Sequence, residues 1–411
     1  MRERPGGRPA LLPLGQHRWA IKRHAIRNDY GLRRAPPGSS RLSQLLLAGF
    51  LIIALVTACG STQTSTTAAA NNANAWKTEA IPSGVDALNG ASCPTDSDCW
   101  VVGANSTGGG TVLATTKAGS SWRIQALPTD VNGPAASPMV VHLDGVSCPI
   151  ESDCWAVGAT SSNAAAVVAT TDGGRIWNAQ NLPGDVTALD GVSCPTPTDC
   201  WAVGTTSLSK GIIVATVNGG STWNSQSLPT GIRTLNEVSC PTPSHCWAVG
   251  ATSSNVGAVV ATTDGGGTWS SQGLPSDIGQ TLPSGLYALN GVSCATSSDC
   301  WAVGASSSNA GIVVATTNGG STWSSQSLPS NVSLLDGASC PTSGHCWAVG
   351  ATSSHAGVVV ATTNGGGTWD SQRLPSGISI LKGISCPTGS GCRAVGATTS
   401  NAGVILARSN H

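Results

Sequence analysis

The sequence predicts an all-β fold, a seven-bladed β-propeller with four antiparallel strands per blade, on three observations. A cysteine pair recurs seven times in residues 75–411, each repeat unit contains four strand-like segments, and the two ends of this region are complementary fragments of one unit. Composition agrees with this prediction. Gly, Ser, Thr, Ala and Val dominate and charged residues make up 10%, a mixture that favours short strands and tight turns over helices.

The repeat has a basic period of 46 residues. First cysteines fall at 93, 148, 194, 240, 294, 340 and 386, so two intervals, of 55 and 54 residues, carry insertions of nine and eight. In the fifth unit the strand-like segments read "ALNGVSC", "CWAVGAS", "GIVVATT" and "TWSSQSLP", separated by turn residues. Four short strands in each unit of this length are typical of a propeller blade, and seven blades enclose a central channel.

The ends of the region predict how the ring closes. The last unit stops at residues 403–411, before a fourth strand, whereas "AWKTEAIP" at residues 75–82 matches the fourth strand of other units and has no preceding three. We therefore expect the N-terminal strand to complete the C-terminal blade. Such a ring leaves no free sheet edge, and free edges promote aggregation.

Fourteen of the fifteen cysteines form pairs with five residues between them. Each pair brackets the turn between the first two strands of a blade, where a disulfide can close across a hairpin. Zinc sites favour shorter spacings with a second pair nearby, and disulfides persist outside the cytoplasm. We therefore predict disulfides and no metal site, with the pairs Cys93–Cys99, Cys148–Cys154, Cys194–Cys200, Cys240–Cys246, Cys294–Cys300, Cys340–Cys346 and Cys386–Cys392.

The N-terminal region has the character of a targeting segment. Residues 1–59 carry a net charge of +8, and an apolar run at 45–58, too short to span a bilayer comfortably, ends in "VTAC". This ending resembles the lipobox of bacterial lipoproteins, which implies cleavage before Cys59, a lipid on its sulfur and an extracytoplasmic position at the cell membrane. A signal anchor that contains a cysteine is the alternative. Residues 60–74 are typical of a flexible spacer before the propeller at 75–411.

Tryptophans form two sets that follow the repeat. We interpret both as packing between blades, with sugar stacking as the alternative. The first set follows the second cysteine and has arginine in the last unit: Trp100, Trp155, Trp201, Trp247, Trp301, Trp347 and Arg393. The second set begins the fourth strand: Trp76, Trp122, Trp177, Trp223, Trp269, Trp323 and Trp369.

A second motif precedes the fourth strand, as in "TTDGGRIW" from Thr170 and "TTNGGGTW" from Thr362. It resembles the Asp-box of sialidase-like (BNR) propellers, and with its repeated glycines it is similar to the propeller family of photosystem II stability and assembly factors. The Asp or Asn suits an Asx-type turn and the glycines supply positive φ. We therefore expect the box to be a folding device and not a catalytic site.

Sialidase chemistry does not transfer onto matching residues. That family uses a tyrosine nucleophile with a glutamate, an acidic proton donor and three arginines, whereas this chain has one tyrosine after the lipobox, Tyr287, which lies in an insertion. The paired aspartates of xyloglucanase-type propellers cannot be placed either. We predict no catalytic residues and no enzyme, with a sialidase-like glycoside hydrolase as the alternative.

Two sets of residues are candidates for binding. The disulfide turns and Asp-boxes should share one face, and both insertions, 129–142 and 276–287, should lie on the other, where their apolar residues, including Met139 and Tyr287, would form binding rims. Tolerated loop growth is the alternative. A polar ring should mark the start of the innermost strands and line the channel mouth. Its residues, candidates for Ca²⁺ or a small polar ligand or else simple turn caps, are Asn89, Asp144, Asp190, Asn236, Asn290, Asp336 and Lys382.

The function expected from these features is binding. After residue 59 the chain has ten basic and eighteen acidic residues and no footprint for nucleic acid. We expect a monomeric, lipid-anchored, extracytoplasmic scaffold for a protein or glycan of the cell envelope, without a cofactor apart from the candidate Ca²⁺. A photosystem assembly-type factor is a further alternative, by family analogy.

Overall fold

The computed structural model describes residues 75–128, 140–275, 288–306 and 308–408. Within these ranges, 28 strands form seven four-stranded antiparallel sheets, which confirms the predicted seven-bladed propeller. No helix of the described residues is long and apolar enough to cross a membrane. The predicted signal region with Cys59, the spacer at 60–74, and the candidate rim residues Met139 and Tyr287 lie outside the described residues.

Each blade has four strands, counted outward from the channel. The innermost strands are β2 (Val85–Ser92), β6 (Val140–Ser147), β10 (Val186–Ser193), β14 (Ile232–Thr242), β18 (Ala288–Cys294), β22 (Val332–Ser339) and β26 (Ile378–Ser385). The second strands are β3 (Cys99–Asn105), β7 (Cys154–Thr160), β11 (Cys200–Thr206), β15 (His245–Thr252), β19 (Cys300–Ala305), β23 (Cys346–Thr352) and β27 (Cys392–Thr398). The third strands are β4 (Gly110–Thr115), β8 (Ala165–Thr170), β12 (Gly211–Thr216), β16 (Gly257–Thr262), β20 (Gly311–Thr316), β24 (Gly357–Thr362) and β28 (Gly403–Arg408). The outer strands are β5 (Arg123–Ile124), β9 (Asn178–Ala179), β13 (Asn224–Ser225), β17 (Ser270–Ser271), β21 (Ser324–Ser325), β25 (Asp370–Ser371) and β1 (Lys77–Glu79).

The two ends of the propeller meet in blade 7. Its sheet has the order β1-β28-β27-β26, and β1 pairs antiparallel with β28 in the register Lys77↔Ala407, Thr78↔Leu406 and Glu79↔Ile405. The N-terminal strand therefore completes the C-terminal blade, as the sequence predicts. The backbone edge of β28 is covered by this pairing.

A disulfide joins the first two strands of every blade. All seven predicted pairs are bonded, with their Cα atoms 4.0–4.2 Å apart. In the chain-entropy model, closing such a short loop stabilises the folded state by about 2 kcal/mol. Because each bridge lies within one blade, the disulfides stabilise hairpins and do not by themselves join blade to blade.

Serine hydroxyls join the disulfide turns of neighbouring blades. The residue before each first cysteine is a serine, and its Oγ accepts a hydrogen bond of 2.9–3.1 Å from the backbone N–H of the first cysteine in the next blade. Ser92 accepts from Cys148, and the last member, Ser385, accepts from Cys93. The bonds form a closed circle of seven, which the sequence analysis did not predict.

The first tryptophan set packs between blades. Its six indoles are at most 2% exposed, so they are buried in the blade interfaces and unavailable for stacking on a sugar. Each of five of these rings approaches the second glycine of the next blade's Asp-box; Trp155 Nε1, for example, lies 3.4 Å from where a Cβ on Gly220 would sit. The box glycine therefore also makes room for the neighbouring blade.

Blade 7 departs from this pattern at its contact with blade 1. Arg393 replaces the tryptophan, and Glu79 replaces the glutamine found at the end of the fourth strand in the other units. Arg393 Nε lies 3.4 Å from Glu79 Oε1, with both side chains nearly buried. Trp122 Nε1 donates to Glu79 Oε2 at 2.8 Å, and Arg393 also donates to the carbonyl of Asp96 at 3.0 Å. A charged pair thus replaces a Trp–Gln pair where the ring closes.

We predict that Arg393→Trp alone destabilises the protein by about 3–5 kcal/mol, because Glu79 is left as a buried charge without its cation. Adding Glu79→Gln should recover most of this loss, since the other six blades combine Trp with Gln. Guanidinium unfolding of the wild type, both single variants and the double variant measures the coupling. Strictly additive effects of the two changes would contradict a coupled pair.

Candidate functional site

The Asp-boxes and disulfide turns lie on one face, here called the box face. In blade 2 the N–H of Gly173 donates to the carbonyl of Ser152 at 2.9 Å, and equivalent bonds occur in other blades, such as Gly265 to Ser244 at 3.0 Å. The turns after the second strands bond instead to the links between blades, as in Ser253 N to Gly231 O at 2.8 Å. These turns and links form the opposite face, here called the link face.

The Asp-box carboxylates are saturated by their own turns. Asp264 accepts hydrogen bonds from Thr268 N at 2.9 Å, Thr268 Oγ1 at 2.8 Å and Thr262 Oγ1 at 2.7 Å. These bonds lower the pKa of Asp264 to about 2. A carboxylate held ionised by its own turn is suited to fixing that turn and poorly suited to proton donation, in agreement with the predicted structural role.

The first insertion is shorter than the sequence predicts. The sequence places residues 140–142 in a link-face loop, but they form the beginning of β6, and Val140 is 2% exposed in the core. Val140 pairs with Thr160 just as Val186 pairs with Thr206 in the next blade. The repeat register therefore resumes at Val140, and this residue cannot belong to an exposed binding rim.

The polar ring lies deeper than predicted. We expected its members at the start of the innermost strands, but Asp190 is the fifth residue of β10, and the pairing register shifts between Leu189 and Gly191 on either side of it. The same shift occurs in every blade. Each ring residue is therefore the extra residue of a β-bulge, in the middle of a strand. In six blades the strand begins four residues before the ring residue, at a Val or an Ile.

The asparagines of the ring join adjacent blades. Asn89 Nδ2 donates to Leu143 O and to Asp144 Oδ1, both at 3.0 Å. Asn236 donates to the leucine carbonyl of the following blade at 2.8 Å, and Asn290 does the same at 3.0 Å. At these three positions an amide donor and a backbone carbonyl are matched across the blade boundary.

When they are ionised, the aspartates of the ring have no N–H or O–H group to donate across the blade boundary. Desolvation, with a contribution from the charge of Asp144, raises the pKa of Asp190 to about 7. Desolvation also raises the pKa of Asp336 to about 6, although the Lys382 charge acts in the opposite direction. Asp144 has a partner of another kind, since His142 Nε2 lies 3.1 Å from its Oδ2. A protonated carboxyl group has an O–H donor like that of an amide, so protonation makes Asp190 and Asp336 resemble the ring asparagines.

The channel contains a cavity of about 150 Å³ lined by the innermost strands of all seven blades. Glu237, which the sequence analysis did not single out as a site residue, borders it. Its side chain is half-buried, and desolvation raises the pKa of Glu237 to about 8. Aligning the units would have revealed this residue, because the same position is glycine in the six other blades: Gly90, Gly145, Gly191, Gly291, Gly337 and Gly383.

Among the residues that the structure describes, no three His, Cys, Asp or Glu side chains are grouped to hold a metal ion. The Ca²⁺ expected at the ring therefore remains a prediction. Three of the six arginines after residue 59 make separate contacts: Arg175 with Asp172 at 3.4 Å, Arg393 with Glu79, and Arg408 with its guanidinium carbon 5.5 Å from the centre of a Trp347 ring. Arg175 lies in the Asp-box of blade 2, Arg393 and Arg408 lie on adjacent strands of blade 7, and none of the three borders the cavity.

We predict that Asp190→Asn stabilises the protein at pH 8.5 by on the order of 1–3 kcal/mol and has little effect at pH 4.5. The folded state keeps a proton on Asp190 up to about pH 7, whereas the unfolded state releases it near pH 4. Wild-type stability must therefore fall as pH rises through this window, and the amide removes that loss. Urea unfolding at both pH values tests this, with the exposed Asp86→Asn as control; a gain independent of pH would contradict it.

Comparisons with known proteins agree with the fold. Residues 215–374 match a family model described as photosynthesis system II assembly factor YCF48. A structure of YCF48 bound to D1 peptide has a TM-score of 0.58 and 16% identity, covering 82% of this chain and 98% of that one. The structure of YCF48 from Cyanidioschyzon merolae has a TM-score of 0.56 and 17% identity, covering 82% of this chain and 98% of that one. The structure of the GH74 enzyme of Niastella koreensis has a TM-score of 0.56 and 15% identity, covering 82% of this chain and 53% of that one.

No curated protein matches the chain in sequence. The matching family model describes an assembly factor and not an enzyme, which supports the expectation of a non-enzymatic propeller. The chain is thus a seven-bladed propeller, similar to the photosystem II assembly factors in sequence over residues 215–374 and in fold over 82% of its length.

Proposed function

We propose that this chain is a non-enzymatic propeller that binds a protein partner at the extracytoplasmic face of the cell membrane, where a lipid on Cys59 anchors it. The match of residues 215–374 to an assembly-factor model carries this proposal. A YCF48 propeller of similar fold has been solved with a peptide bound, so the scaffold is compatible with protein recognition. A photosystem protein would be the partner only in a photosynthetic host.

The link face is the surface that we assign to the partner. Both insertions interrupt links between blades, after Pro128 and Pro275, and such links lie on this face. Exposed apolar side chains occur there on neighbouring blades, with Leu208 74% and Val256 39% exposed in turns after second strands. The turns of the box face keep the same length from blade to blade, although exposed apolar side chains also occur there, at Ile150, Ile176 and Val217. Departures from a repeat on a rigid scaffold are where specific recognition is built.

We predict that shortening both insertions abolishes capture of the partner without unfolding the propeller. Residues 129–139 and 276–285 would each be replaced by a two-residue link such as Ser330–Asn331 in blade 6. Because the remaining register follows the 46-residue repeat, the melting temperature should change little. Affinity capture from envelope extracts, followed by mass spectrometry, measures the loss.

Val217→Thr is the matched control, because Val217 is 69% exposed in an Asp-box, away from the link face. It should capture the same proteins as the wild type. Capture that persists after both insertions are shortened would contradict the assignment of this face. Glycan capture on an array, or hydrolysis of fluorogenic glycosides by the purified propeller, would instead support a glycan ligand or the glycosidase alternative.

We predict that Cys59→Ser prevents lipid attachment and leaves the apolar run at 45–58 on the protein. The cysteine sulfur is the attachment atom that the lipobox resemblance implies, and the implied cleavage before residue 59 requires that cysteine. Detergent partitioning and the intact mass of the mature N-terminus measure the change. An unlipidated wild-type protein that still fractionates with the membrane would indicate the signal-anchor alternative.

A further inference from the structure

The acidic side of the axial cavity contains charges that the fold does not compensate. Glu237 replaces the glycine of the other blades, and its Oε1 lies 2.7 Å from where a Cβ on Gly191 would sit, so it reaches across to blade 3. Oε1 accepts one hydrogen bond, from the adjacent Val238 N–H at 3.1 Å. Within the described residues, no hydrogen bond reaches its other oxygen, and this half-buried side chain borders the cavity.

Neighbouring groups do not supply a cation for Glu237. Asp190 on the adjacent blade interacts with it as a second acid and has no hydrogen bond in the described part of the chain. His142 lies 3.1 Å from Asp144 on blade 2, and its charge also acts on Asp190. Lys382, on blade 7, borders the same cavity, but its charge acts on Asp336 and is not among the charges that act on Glu237. The remaining ring members, Asn89, Asn236 and Asn290, are neutral.

Stability alone does not account for Glu237. A desolvated carboxylate without a cation is unfavourable, and removing it would leave the glycine that six blades already have. The pair of Arg393 and Glu79 between blades 7 and 1 shows the contrast, because there one charge is matched by another at 3.4 Å. The described residues contain no charge that matches Glu237 in this way, which indicates that the matching charge comes from a ligand.

The chemistry of the cavity favours an organic cation. No group of three metal-ligating side chains is formed by the described residues, and a primary ammonium needs only three acceptors around one compact charge. Glu237 is an acceptor that borders the cavity. Asp190, whose charge acts on Glu237, and the backbone carbonyl of Asn236, which faces Gly191, are acceptors beside it. We propose that the axial cavity binds a primary ammonium group between blades 3 and 4, supplied by a free amine or by a lysine side chain.

The pH dependence of binding follows from the proton on Glu237. The ammonium binds the ionised carboxylate, so below the Glu237 pKa of about 8 it must displace a proton. The dissociation constant should therefore fall about tenfold for each unit of pH rise up to that value and then level off. Asp190, Asp144, Asp336, His142 and Lys382 are the other titrating groups of the channel, and ionisation of Asp190 should add to the slope below pH 7.

Calorimetric titration of the full chain with n-butylammonium at pH 6, 7, 8 and 8.5 tests the site, with tetramethylammonium as a cation that has no N–H donor. Glu237→Gly restores the repeat residue and should fold, and Glu237→Gln keeps the volume. Both should weaken butylammonium binding at least tenfold at pH 8.5. Glu151→Gln, an exposed glutamate in a disulfide turn, should leave it unchanged.

The proposal is wrong if butylammonium shows no saturable binding at pH 8.5, if tetramethylammonium or sodium binds equally well, or if Glu237→Gly binds like the wild type. A short blocked peptide with one lysine separates the sources. Binding of the peptide indicates a partner's lysine, and binding of butylammonium alone indicates a free small amine. Partner capture through the insertions is measured separately, so failure of either proposal leaves the other standing.

Discussion

Closure of the ring determines what every other interaction in this propeller can contribute. Each blade buries its faces only against two neighbours, so the first and last blades would each expose a face in an open array. Pairing of β1 with β28 covers the final sheet edge, and the hydrogen bond from Cys93 to Ser385 completes the circle of serine hydroxyls. Without closure, the disulfides would still fix the hairpins, but the hydrophobic cluster that joins blade 1 to blade 7 would be lost.

The contacts between blades are made by glycines near the channel and by tryptophans farther out. Glycines at the innermost strands lie so close to the next blade that a side chain would overlap its backbone; a Cβ on Gly145 would lie 3.0 Å from the carbonyl oxygen of Asp190. Buried tryptophans fill the wider outer part of the same interfaces. Residue size therefore increases from the channel outward, from glycine to tryptophan, as the gap between blades widens. This arrangement explains how a chain with only 4% aromatic residues fills seven wedge-shaped interfaces.

The architecture could be predicted from the sequence because it is periodic. The number of blades, the hairpin disulfides and the split final blade can all be predicted from the repeat alone, before any contact is known. The serine circle was within reach, since Ser precedes Cys in every unit, but only the structure shows that its partner is the next blade. The depth of the polar ring was not accessible, because a β-bulge at Asp190 shifts the register without a distinctive residue type. The two insertions have no counterpart in the other repeat units, so the binding role proposed for them depends only on their position between blades.

Some residues that depart from the repeat introduce a charge, and the structure supplies a partner charge for some of them and not for others. We use this difference to distinguish structural exceptions from functional ones. Arg393 and Glu79 replace Trp and Gln together and bond to each other, so two changes balance within one interface. Lys382 stands beside the acidic Asp336 and moderates its charge. Glu237 alone brings a charge into the channel that no described side chain neutralises. A fold built by copying one unit has a stable default at every position, so an uncompensated exception persists only if something outside the chain completes it.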